Sequence, residues 1–166
     1  MIKKLGLGTW SWGNKLFWNY QENSDNDLFE AYKEALKCGY TFIDTADSYG
    51  TGRFNGRSEK LLGSFLSQTS IAEKKKIQIA TKLAPYPWRL GRSGFTLPFK
   101  NSLARLNNNL DIVQLHWSTS RYNPYQEFQL LNNLCDLNEE GFEFKIGLSN
   151  IGPKRLKEII HLLNKR

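Results

Sequence analysis

The residues of this chain that could carry chemistry recur at the ends of short apolar stretches. Each comes at, or just after, the point where such a stretch turns polar, and the intervals between them are nearly equal. In chain order they are Asp44 with Tyr49, Lys82, His116, and Ser149 with Asn150. A repeating structural unit would therefore bring these side chains to equivalent places.

A carboxylate, a phenol, an ammonium and an imidazole together suit the protonation of a carbonyl oxygen. A tyrosine has a pKa of about 10, and a cation within ~4–6 Å favours its phenolate form. Lys82 is suited to be that cation for Tyr49, with Asp44 holding the lysine in place. A neutral His116 is suited to orient a substrate oxygen by a hydrogen bond. No nucleophile–base pair accompanies them, so hydrolysis is disfavoured and another molecule must supply the electrons.

Alternating helices and strands must position these side chains. Apolar residues at helical spacing predict helices at 27–38, 57–66 and 97–106, one from Asn123 to Gly141, and one that begins at Pro153. Short apolar runs between them predict strands at 41–43, 77–81, 112–115 and 145–148. The last helix is expected to bury Leu156, Ile159, Ile160 and Leu163.

Strands that alternate with helices predict a parallel α/β fold in one domain, residues 1–166. Such a fold is either an open doubly wound sheet or a (β/α) barrel. The even spacing favours a barrel, because each strand–helix unit is then equivalent to the next. A closed barrel of eight units takes ~250 residues, so we expect an incomplete (β/α)8 TIM barrel of about five units.

Composition excludes several classes of function. The formal charge of +7 fits an anionic small molecule as ligand. Nucleic-acid binding is not predicted, because the sequence shows no basic face interleaved with aromatic residues. No apolar run approaches the ~20 residues that cross a bilayer, and the first residues do not have the pattern of a signal peptide. Cys38 and Cys135 lack metal-ligand spacing with each other or with His116 and His161. We therefore expect a reduced, cytoplasmic protein without a metal.

Seven short stretches give the chain a resemblance to a known family. They are LGLGTWSWG (5–13), GYTFIDTADSYG (39–50), GRSEKLLG (56–63), IATKL (79–83), SLARL (102–106), DIVQLHW (111–117) and IGLSN (146–150). In this order and spacing they resemble the aldo-keto reductases, which are NADPH-dependent, carbonyl-reducing (β/α)8 barrels. The tryptophan-rich opening is most similar to members from plants and photosynthetic bacteria.

The resemblance implies a role for each matching residue. The family's catalytic tetrad falls on Asp44, Tyr49, Lys82 and His116. The residues implied to lie along the cofactor are Gly8, Thr9, Trp10, Asp44, Ser149 and Asn150, the last two at the nicotinamide carboxamide. The implied cofactor is NADPH and the implied substrate is a small aldehyde or ketone. Asp47 and Ser48 have no implied role, and we expect them to be local turn residues.

The same resemblance implies that the chain corresponds to the N-terminal half of the family domain. The family continues through three more strands, which carry a glutamine near the carboxamide, an aromatic residue that stacks on the nicotinamide, and a basic segment for the adenosine 2′-phosphate. We expect a second copy or a complementary C-terminal half to complete the sheet. The alternative is a non-catalytic half-barrel that acts as an interaction subunit.

Overall fold

The computed structural model describes residues 5–166 and contains a five-stranded sheet. The strands are β1 (Gly6–Gly8), β2 (Phe42–Asp44), β3 (Gln78–Leu83), β4 (Ile112–Leu115) and β5 (Lys145–Leu148). They lie in chain order, and each is parallel to its neighbour. This arrangement confirms the predicted α/β fold with about five units of a (β/α)8 barrel.

Helices connect the strands. They are α1 (Lys15–Trp18), α2 (Asp25–Lys37), α3 (Arg57–Ser67), α4 (Ile71–Lys74), α5 (Thr96–Arg105), α6 (Pro124–Glu139) and α7 (Pro153–Leu163). The five longer ones agree with the predicted helices to within two residues at most boundaries. The short α1 and α4 were not predicted, because a single turn has too few residues to show helical periodicity.

Local sequence signals explain where the predicted helices begin and end. The side chain of Asn123 accepts a hydrogen bond from the backbone N–H of Gln126, and Pro124 occupies the first turn of α6. Gly39 after α2 and Gly141 after α6 have φ angles of 80° and 100°. Glycine adopts this left-handed conformation at no steric cost, so both positions end their helices.

One face of the sheet packs against the helices and forms the core. Ile43, Ile79 and Val113 lie on this face and are fully or almost fully buried. The core has two clusters: one lies beneath the first strands with α2 and α3, and the other lies beneath β4 with α5 and α6. Alternation along each strand then turns every second residue to the opposite face.

We call that opposite side the inner face of the sheet. The strand register aligns Phe42 with Gln78, and Lys82 with Gln114, along it. Phe42 is 37% exposed and Gln78 is exposed. Among the described residues, no second layer covers this face as the helices cover the other.

The helix α7 differs from expectation. Ile159 is buried against the core and Leu163 is partly buried, as predicted. Leu156 and Ile160, however, are 39% and 49% exposed, so the prediction of a four-residue buried face was wrong for these two. Helical periodicity marks an apolar stripe, but it does not say how much of the stripe its neighbours in the fold cover.

Within residues 5–166, no helix is both long and apolar enough to cross a membrane.

Candidate active site

The carboxyl end of β2 supplies the acidic and phenolic groups of the site. Asp44 is the last residue of the strand, and its side chain is 32% exposed on the inner face. Thr45 and Ala46 are then buried, and a turn follows in which the backbone N–H of Tyr49 donates to the Ala46 carbonyl. The turn carries Tyr49 back toward the strand ends.

Lys82, near the end of β3, joins these groups. Its ammonium lies 2.5 Å from an Asp44 carboxylate oxygen and 3.1 Å from the Tyr49 hydroxyl. It also donates to the backbone carbonyl of Thr45 at 2.9 Å. The lysine is only 6% exposed. A buried ammonium with three oxygen partners is held in one position, as a fixed cation beside a phenol requires.

His116 follows β4 directly and completes the predicted cluster. Its ring centroid lies 5.7 Å from that of Tyr49, in an edge-to-face arrangement. Burial and, to a smaller extent, the Lys82 ammonium lower the pKa of His116 to about 4, while Asp44 opposes the shift. The imidazole is therefore neutral near pH 7. The structure thus brings Asp44, Tyr49, Lys82 and His116 together at the carboxyl ends of three strands.

Gln114 is a contact that the sequence analysis missed. Its side-chain amide donates to the second carboxylate oxygen of Asp44 at 3.1 Å. Asp44 is thus held from two sides, by Lys82 and by Gln114. The available signal was a polar residue inside an apolar strand, in register with Lys82 across the sheet.

Asp47 and Ser48 are turn residues, as expected, but both also make contacts across the fold. The Ser48 hydroxyl lies 3.2 Å from Nδ1 of His116. Asp47 accepts from the Arg89 guanidinium at 2.5 Å and from the backbone N–H of Ala84 at 3.1 Å. These bonds tie the loop after β2 to the loop after β3 and to the residue after β4.

Asp47 is buried, and this alters its acidity. Burial raises the pKa of Asp47 to about 6, while the charge and hydrogen bond of Arg89 act in the opposite direction. Arg89 is itself mostly buried, and its guanidinium lies 4.9 Å from the ring centroid of Tyr86. The pair thus lies close to the site in the chain, because Asp47 is two residues before Tyr49.

Ser149 and Asn150 follow β5 at the same edge of the sheet. The Asn150 amide donates to the backbone carbonyl of His116 at 2.9 Å and lies 3.3 Å from the Ser149 hydroxyl. Asn150 is exposed and has a φ of 55°, a conformation that asparagine tolerates better than most residues. The end of β5 is therefore fastened to the end of β4, with polar groups presented at its surface.

The segment after β1 divides into exposed and buried residues. Thr9 is fully buried, and its hydroxyl bonds to the Asp44 carbonyl and to Ser58. Gly8 and Trp10 on either side are exposed. The Thr9 side chain is thus committed to the interior, and only its neighbours remain accessible to a ligand.

The arrangement has the groups that could donate a proton to a substrate oxygen. A phenol is hydrogen-bonded to a buried ammonium, and a neutral imidazole lies beside it. Within residues 5–166, no three His, Cys, Asp or Glu side chains are grouped so that they could hold a metal ion.

Comparison with known proteins identifies the family of the chain. A family model of the aldo/keto reductase family matches residues 4–166. The chain belongs to the aldo/keto reductase family. It is 45% identical to the chloroplastic pyridoxal reductase of Arabidopsis thaliana over 168 residues, which cover 99% of this chain and 46% of that protein.

Solved aldo/keto reductase structures agree with the fold. An aldo/keto reductase from Brucella melitensis aligns with a TM-score of 0.69 at 28% identity, over 94% of this chain and 52% of that one. The protein Gox0644, crystallised in complex with NADPH, aligns with a TM-score of 0.64 at 25% identity, over 94% of this chain and 48% of that one. The chain thus spans about half the length of the relatives that it matches.

Proposed function

We propose that this chain takes part in the NADPH-dependent reduction of an aldehyde or ketone, with Tyr49 as the general acid. One observation carries the proposal: a buried Lys82 ammonium bridges the Asp44 carboxylate and the Tyr49 hydroxyl. In an aldo/keto reductase, that contact is the means of stabilising the tyrosine oxygen as its proton leaves.

Each side chain has a distinct role in the proposal. Tyr49 transfers its proton to the substrate oxygen as negative charge develops there. Lys82 stabilises the phenolate that remains, and Asp44 neutralises and holds Lys82. His116, neutral because burial lowers its pKa to about 4, donates a hydrogen bond to the same substrate oxygen.

The residues present fit part of a nicotinamide cofactor. Ser149 and Asn150 offer a hydroxyl and an amide at the strand edge, and these are groups that pair with a carboxamide. A Cβ atom added at Gly8 would meet no heavy atom within 4 Å, so the backbone there borders open space on the inner face. We assign Gly8, Trp10, Asp44, Ser149 and Asn150 to cofactor contact. When bound, NADPH supplies the hydride that reduces the carbonyl carbon.

The segment between β1 and α2 carries exposed aromatic rings, which favour a flat substrate. Trp10 lies 6.0 Å from Phe17 and 6.1 Å from Trp18 between ring centroids, and all three rings are largely exposed. The loop is fastened to the Tyr49 loop by a hydrogen bond from the Thr51 N–H to the Gly13 carbonyl. Because the related Arabidopsis protein is named for pyridoxal, we propose pyridoxal as the first substrate to test.

The decisive experiment is NADPH oxidation with pyridoxal by the native chain and by Tyr49→Phe. General acids contribute roughly 10²–10⁴-fold to rate, so we expect the variant to lose at least about 100-fold in kcat. Tyr125→Phe is the matched control, because this tyrosine on α6 is 71% exposed. Equal rates for native chain and Tyr49→Phe would reject the assignment.

A second function is favoured by the exposed apolar side chains of Phe42, Leu156 and Ile160. We propose that another polypeptide, either a second copy or a complementary C-terminal half, covers these surfaces. Analytical ultracentrifugation of the purified chain tests the second copy: a mass of two chains supports it, and a monomer favours the complementary half.

Titration with NADPH then separates an enzyme from a non-catalytic interaction subunit. Trp10 lies in the proposed cofactor segment, so saturable quenching of tryptophan fluorescence is expected for an enzyme. The absence of quenching favours the interaction subunit. A cytoplasmic location stays a prediction from the reduced cysteines, whereas the named Arabidopsis relative is chloroplastic.

A further inference from the structure

The ring of His116 has a single polar contact among the hydrogen bonds of residues 5–166. Its Nδ1 lies 3.2 Å from the Ser48 hydroxyl. The other ring neighbours are aromatic: the centroids of Tyr49 and Trp117 lie 5.7 Å and 5.0 Å away. Ser48 is therefore the residue able to influence where the imidazole carries its proton.

A neutral histidine has one proton and two ring nitrogens, so the contact with Ser48 can take two forms. If Nδ1 carries the proton, Nδ1–H donates to the serine oxygen and Nε2 has only a lone pair. If Nε2 carries the proton, the serine hydroxyl donates to Nδ1. The pKa of about 4 makes these two neutral forms the relevant ones near pH 7.

We propose that Ser48 is a positioning residue that donates its hydroxyl proton to Nδ1 of His116 and so keeps the imidazole proton on Nε2. The inference rests on the proposed function in one respect: a carbonyl oxygen only accepts hydrogen bonds, so a ring nitrogen that binds it must donate. With Nδ1 occupied by Ser48, that donor is Nε2–H.

The position of Ser48 suits this task because the residues on both sides of it are fixed. The backbone N–H of Asp47 donates to the Lys82 carbonyl at 3.0 Å, and that of Tyr49 donates to the Ala46 carbonyl at 3.2 Å. The Asp47 side chain is anchored to Arg89 as well. The loop that delivers the general acid therefore also orients the neighbouring imidazole, and one short segment sets both donors.

Nitrogen NMR of ring-labelled histidine tests the proposal directly. The chain has only two histidines, and His161 on the exposed surface of α7 serves as an internal reference. At pH 7.5 we expect His116 to show a protonated Nε2 and an unprotonated Nδ1. A protonated Nδ1, or an even mixture of the two forms, would overturn the proposal.

Two variants extend the test. Ser48→Ala is expected to lose the single Nε2–H pattern and give a mixture of tautomers, whereas Ser48→Thr keeps a hydroxyl and is expected to retain the native pattern. An unchanged His116 spectrum in Ser48→Ala would contradict the role given to Ser48. Because the spectra need neither cofactor nor turnover, an inactive chain with the expected tautomer rejects the proposed function alone. An active chain with a protonated Nδ1 rejects the role of Ser48 and the hydrogen bond given to His116, and it leaves Tyr49 as the general acid.

Discussion

The two faces of the sheet come from the same strands but differ in how deeply their side chains are buried. On the helix-covered face, Ile43, Ile79 and Val113 are at most 1% exposed. On the inner face, their strand neighbours Phe42 and Gln78 are exposed. The first set stabilises the fold by burying apolar surface, which contributes roughly 1.5–3 kcal/mol for each such side chain.

The inner face uses its side chains differently. Lys82 and Gln114 each donate a hydrogen bond to Asp44, so that the three side chains are linked across three strands. They are therefore available for chemistry, while the opposite face supplies the stability that keeps them aligned. Substitutions on the helix-covered face should therefore lower stability, whereas substitutions at the site on the inner face should lower activity.

The largest expected effect on stability comes from Ile79→Ala. Ile79 belongs to the first core cluster and is 1% exposed. Removing a buried isoleucine side chain costs about 2–5 kcal/mol, because apolar contacts are lost and a cavity is left. Urea unfolding followed by circular dichroism measures the change. A loss below about 1 kcal/mol would mean that this face is not the core.

A smaller effect on the free energy of unfolding is expected from a change of pH, because the pKa of Asp47 is raised and the pKa of His116 is lowered. The folded-state pKa of His116 is about 4, below its usual 6.5, so its contribution to stability is lost as pH falls from 6.5 toward 4. The folded-state pKa of Asp47 is about 6, above its usual 3.8, so its contribution is lost as pH rises from 3.8 through 6. The two contributions partly cancel between pH 4 and 6.5.

Asp47→Asn should remove that cancellation. Between pH 7 and pH 4.5 we expect the variant to lose on the order of 1–2 kcal/mol more unfolding free energy than the native chain, because only the native chain gains the Asp47 contribution as pH falls. The measurement is urea unfolding at the two pH values, so that the pH-independent cost of losing the Arg89 pair drops out. Parallel pH profiles for the two proteins would contradict the prediction.

The smallest effect is expected from Gln78→Ala, next to Ile79 on the same strand but on the inner face. Gln78 is exposed, and substitutions at such positions usually change stability by less than about 0.5 kcal/mol. Under the conditions used for Ile79→Ala, the two neighbours should differ by several-fold in their cost. Similar losses of unfolding free energy would show that the inner face is as important for stability as the helix-covered face.

The sequence predicted the elements well and the loop contacts poorly. Long helices and apolar strands follow from periodicity and from caps such as Asn123, which are local properties. The contact between Ser48 and His116 joins residues that are 68 positions apart, and the local sequence around either residue does not predict it. The Asp47–Arg89 pair was missed for the same reason. Leu156 and Ile160 show the converse, because a stripe on one helix does not reveal what packs against it.

The order of the strands has a consequence for how the chain acquires its shape. Every strand lies beside the one that precedes it in the chain, so during synthesis each newly emerged unit finds its pairing edge already made. No strand has to wait for a distant segment before it can pair. Asp44 and Lys82 would meet as soon as the third strand leaves the ribosome, and the imidazole would join them one unit later.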